Sequence, residues 1–187
     1  MRLSPLLLIL ACRPDDVNGD PTEDGGSTDG GGEAGDGGGG GDGGGDGGAA
    51  SGDCEGSGLL GDWRSEGEDI SALFQLSTFD YARVDASFGA DCLYRVDVLT
   101  NGGDEYVITG SWEAQEGSPG SITQWQDYPY AARAEGIWQV AGEALSFEVV
   151  QVDPDYGFTA PTPSTGFGST AGQGLAAGDN VQTYRRL

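Results

Sequence analysis

Few residue types in this 187-residue chain can carry covalent or acid–base chemistry. There is no His and no Lys, and all eight basic residues are Arg. That removes the commonest general base and metal ligand, any nucleophile–His pair, and Schiff-base chemistry. Carboxylates, thiols and aromatics are left. Glu113, Glu116, Glu135 and Glu148 fall on or beside predicted strands, and two carboxylates at a defined separation in a cleft are what a glycosidase needs. With 31 acidic residues in the chain such pairs arise by accident, so no catalytic residue is assigned and an enzyme is not expected. The glycines at 166 and 168 precede no helix and no Lys, which excludes a phosphate loop. Trp112, Trp125, Tyr128, Tyr130 and Trp138 could line a sugar or lipid groove, although aromatics at strand spacing more often fill a core. No cofactor is expected, and no metal site, because two cysteines without His are too few for zinc.

The three thiols are Cys12, Cys54 and Cys92. Ahead of Cys12, one positive charge at Arg2 precedes the short apolar run 3–11. That run is an export signal by composition and is far shorter than the roughly 20 apolar residues of a bilayer span. Ile9-Leu10-Ala11-Cys12 resembles the lipobox of bacterial lipoproteins. The resemblance implies a signal peptide over 1–11, cleavage before Cys12, and a diacylglycerol on the Cys12 thiol. It also implies export and lipid anchoring in the bacterial cell envelope, most naturally at the outer membrane. With Cys12 acylated, Cys54 and Cys92 are an even pair bound for an oxidising compartment. A disulfide between them would close a loop of roughly 40 residues and contribute about 3–4 kcal/mol. The alternative is two free buried thiols.

Residues 12–53 then read as a lipidated Cys and a disordered linker. The stretch 15–52 holds 18 Gly, and Val17 is its only large apolar side chain. Such a segment cannot bury enough apolar surface to offset its ordering entropy. Glycine makes it flexible and its acidic residues extend it, to a span of at least roughly 35 Å. The run 37–48 lacks the apolar positions of calcium-binding β-rolls and the Glu of an EF-hand. The net charge of −23 repels nucleic acid and anionic headgroups, so neither is an expected partner. The membrane is reached through the acyl anchor, and no protein partner is indicated.

All four Trp, seven Tyr and six Phe lie beyond Cys54, which marks 54–187 as the folded domain. Period-two stripes are Ala82, Val84, Ala86, Phe88; then Cys92, Tyr94, Val96, Val98; then Tyr106, Ile108, Gly110, Trp112. Ile137 and Gln139 are joined to Leu145, Phe147 and Val149 by a turn at Ala141-Gly142-Glu143. Asn101-Gly102-Gly103-Asp104 signals a hairpin, 180–187 a closing strand, and 71–77 a short helix. About eight short antiparallel strands predict an all-β barrel or sandwich.

Leu59-Leu60-Gly61-Asp62-Trp63-Arg64 resembles the G-x-W element that opens the first strand of lipocalins and their calycin relatives. The resemblance implies a small up-and-down antiparallel barrel closed at one end by Trp63, with Gly61 beside it. It implies further that Arg185 or Arg186 packs on the Trp63 ring as a cation–π partner. The chain departs from that family by lacking a long C-terminal helix and by inserting a long Pro/Gly segment over 153–179. Tyr156, Phe158 and Phe167 could pin that segment to the barrel as a flap, or serve as a lid over a binding mouth. The expected function is a membrane-tethered barrel binding a small hydrophobic ligand. The alternative is an envelope structural or surface-interaction lipoprotein whose barrel is filled. Ala82, Ala86 and Gly110 facing inward would leave space; large residues opposite them would fill it.

Overall fold

The computed structural model describes residues 54–187. The expected signal peptide over 1–11, Cys12 and the expected linker to residue 53 lie outside the described residues. Eight antiparallel strands run in chain order: β1 (Gly61–Glu66), β2 (Tyr81–Phe88), β3 (Leu93–Thr100), β4 (Glu105–Gln115), β5 (Gly120–Tyr128), β6 (Ala132–Ala141), β7 (Ala144–Asp153) and β8 (Gln182–Arg186). Each pairs with its neighbour in sequence, and β8 returns to β1 through Trp63 opposite Arg186 and Arg64 opposite Arg185. The result is a closed up-and-down barrel, which leaves no sheet edge exposed.

Alternation sets which side chains enter the barrel, and two departures from simple period two re-aim it. A bulge between Tyr81 and Arg83 in β2 shifts the phase by one. Tyr81, Val84, Ala86 and Phe88 therefore share the buried face, and Ala82 does not. On β6 the inward residue is Trp138, opposite Phe147, and not Ile137. Ile137 is just as deeply buried, on the outer face opposite Glu148, so burial on both faces hides the period there. Cys92 falls just outside β3, at φ 61, in the turn that its amide closes onto the Gly89 carbonyl.

The expected helix over 71–77 is instead a chain of turns. Phe74 and Gln75 donate to the Ser71 carbonyl, but the Leu73 amide donates to Asp179 and the Phe74 carbonyl accepts from Tyr81. Tertiary partners take the groups that a helix would have used. The connection 67–80 thereby lays Ile70, Leu73 and Phe79, all nearly inaccessible, into the core across one end of the barrel.

Candidate ligand cavity at one end of the barrel

The two ends are built differently. At the first, Trp63 is wholly buried and its indole N–H donates to the Leu59 carbonyl at 2.8 Å. Of the two C-terminal arginines, Arg186 lies over the ring, its guanidinium carbon 4.1 Å from the centroid. Its two terminal nitrogens donate to the carbonyls of Leu60 (2.9 Å) and Gly58 (3.3 Å). Gly61 takes φ +114, which strains any residue with a Cβ, and a Cβ there would also press on the Arg186 Nη1 at 2.9 Å. Arg185 turns away to a two-pronged pair with Asp69 on the surface, and its guanidinium holds that carboxyl below the ordinary range. The Cys54–Cys92 disulfide, with Cα atoms 5.4 Å apart, ties the entering chain to the same end. Phe88 packs edge-on to Trp112 at 5.5 Å and lies 6.0 Å from Phe147, so this half of the interior is filled by rings.

Toward the opposite end the interior opens into a cavity of about 70 Å³. That is less than the roughly 300–1,000 Å³ of sites for drug-sized ligands, and room for several waters or one small organic molecule. Its space comes from small residues, Ala86 on β2 and Ala132 and Ala134 on β6. Gly110 contributes none: a Cβ there would strike the Trp125 carbonyl oxygen at 1.9 Å, so this glycine serves the close approach of β5 at the bulge between Thr109 and Gly110. Val84, Val96, Ile108, Phe147 and Val149 supply apolar wall, and Phe74, from the connection 67–80, lines the space as well. The polar lining is uncharged: Gln124, Gln126, Gln151, Asn180 and Gln182 with the phenols of Tyr81, Tyr94 and Tyr184. Burial pushes all three phenols well above their ordinary range, so each remains a neutral O–H.

Sequence reasoning did not single out β5 or its glutamines. On β5 the inward positions are Gly120, Ile122 and Gln124, while Trp125 and Tyr128 are exposed on the outer face. An amphipathic stripe with amides inside and aromatics outside inverts the usual signal. The signal available was the phase itself, since Gln124 is two residues from Ile122 and must share its face.

The segment 153–181 packs on the barrel's flank. Phe158 is buried against Val150 of β7, with Tyr156 and Leu175 against the same cluster. Phe167 is half-buried. None of Tyr156, Phe158 and Phe167 contributes to the cavity lining; Asn180, just before β8, does. Glu148, inaccessible on the outer face of β7, fastens the segment by accepting from the amides of Gly168 (2.6 Å) and Thr170 (2.9 Å) and from the Thr170 hydroxyl. The four glutamates noted in the sequence are not gathered. Glu113 and Glu116 border a surface cleft beside Cys54, Glu135 pairs with Arg133, and Glu148 is spent on the flank. The chain matches no protein-family model, no curated protein and no solved structure.

Proposed function

We propose that this chain is an exported lipoprotein, anchored through an acylated Cys12, which presents a lipocalin-like barrel on an acidic Gly-rich tether to bind a small, largely apolar molecule. The cavity carries the binding reading. Alanines on three inward positions leave space beside neutral amides and phenols, in a barrel otherwise filled by rings. The Arg186–Trp63 stack at the far end supports the kinship with lipocalin-type barrels. The lipobox-like Ile9-Leu10-Ala11-Cys12 supports the anchor, and the Cys54–Cys92 bond fits an exported chain. Nothing in this reading requires catalysis.

The small size of the cavity favours a second reading: a self-filled barrel whose role is structural or a surface interaction in the envelope. One preparation separates the two. Native mass spectrometry of the full-length protein extracted from bacterial membranes should show the mass of acyl chains and a non-covalent small-molecule adduct. Acylated protein without an adduct favours the filled barrel. Normal maturation without acyl mass, unaffected by globomycin or by Cys12→Ala, would remove the anchor.

A further inference from the structure

The polar groups around the cavity are not equivalent. Gln182 is engaged at both ends: its amide donates to Ser65 Oγ at 2.6 Å and its oxygen accepts from the Ser71 amide at 2.7 Å. Gln151 donates to the Pro154 carbonyl and accepts from the Tyr130 hydroxyl. Gln126 donates to the Tyr130 carbonyl, and Asn180 to that of Val149. Gln124 differs. It is 8% exposed, it stands on β5 between Trp112 and the small Ala134, and its carboxamide has no hydrogen-bond partner among the described residues. No fully enclosed side-chain nitrogen or oxygen among the described residues lacks a partner, so the Gln124 amide opens onto the cavity space. The Tyr94 and Tyr184 hydroxyls share this condition on other walls. Packing alone would be served better by Leu or Met at this position; an amide there suits a space that holds a polar group.

We propose that Gln124 is the recognition residue of the cavity, and that the ligand is an uncharged molecule carrying one hydroxyl or carbonyl oxygen on a compact apolar body. This rests on the reading of the cavity as a binding site. The Gln124 amide can donate to that oxygen or accept from it, and the apolar wall from Ala134 to Phe147 takes the rest. An ionised ligand is excluded because no charged side chain lines the cavity to replace its lost hydration.

The test uses the full chain and three probes with one ring: cyclopentanol, cyclopentane and cyclopentylammonium. Binding is read from the indole signals of the four tryptophans in ¹⁵N–¹H spectra. Cyclopentanol should saturate at a concentration about tenfold below cyclopentane, as one neutral hydrogen bond implies, and the ammonium should give no saturable shift. In Gln124→Leu the order of alcohol and hydrocarbon should reverse, and Gln124→Met should behave the same if the Leu variant folds poorly. Equal affinity of alcohol and hydrocarbon in the wild type would overturn the role of Gln124 while leaving the cavity a binding site. Saturable binding of the ammonium would overturn the exclusion of charge. If none of the three binds, the binding-site reading itself fails and takes the proposal with it.

Discussion

The plugged end and the hollow end of this barrel are made from the same eight strands, yet they spend their inward positions on opposite things. Around Trp63 the inward residues are large rings, closed by Arg186 and by a chain segment held through a disulfide. Around Gln124 alanines and amides stand among the rings of Phe74, Tyr81, Tyr94 and Tyr184. Backbone geometry does not create the cavity. The small side chains at Ala86, Ala132 and Ala134 do.

Substitutions at the two ends should therefore differ in kind. Trp63→Ala removes a wholly buried indole, its bond to Leu59 and the seat of Arg186. It should cost about 3–5 kcal/mol, read as a fall in the thermal midpoint of the full chain. Replacing Cys54 and Cys92 together by Ser opens a 38-residue separation and should cost about 3–4 kcal/mol. A denaturation midpoint unmoved by reduction would show that the plug does not depend on the bond. Glu148→Ala strands two amides and a hydroxyl on the flank and should cost about 2–3 kcal/mol. Hydrogen exchange should quicken at Gly168 and Thr170 and stay slow at the Trp63 indole; uniform quickening would mean that flank and plug are one unit. Smallest is the contrast between neighbours. Arg186→Ala should lower stability by about 1 kcal/mol through the lost stack, whereas Arg185→Ala, which breaks an exposed pair with Asp69, should leave the midpoint where it was.

How much of this was legible in the sequence follows the same division. The plugged end is readable because its parts are unusual: Gly61 and Trp63 two residues apart, an Arg pair at 185 and 186, and two cysteines in the aromatic-rich part of the chain. The choice between Arg185 and Arg186 was not, since it depends on the barrel's closing register, which pairs Trp63 with Arg186. The hollow end was harder. The bulge at Ala82 moved a small residue out of the interior and put Tyr81 in its place. Gly110 looked like a source of space and instead admits a neighbouring strand. Ala86, a predicted source of space, does line the cavity, but Gln124 and Gln126 carry no hydrophobic signal, which hides the strand that bears them. The segment 153–179 is open to two readings from its length and aromatics, a flap or a lid; Phe158 packs on Val150 at the flank, while Phe74, in the stretch predicted as a short helix, lines the cavity.

The claim on which everything functional depends is that one end of the barrel holds receptive space rather than packed side chains. Xenon is small enough for a cavity of about 70 Å³ and binds apolar voids without any chemistry of its own. The decisive measurement is the ¹²⁹Xe chemical shift as the full-length protein is titrated, beside Ala134→Leu, in which the added side chain fills the space next to Gln124. A saturable shift in the wild type that disappears in the variant is the expected result. The same unsaturable drift in both proteins would contradict it.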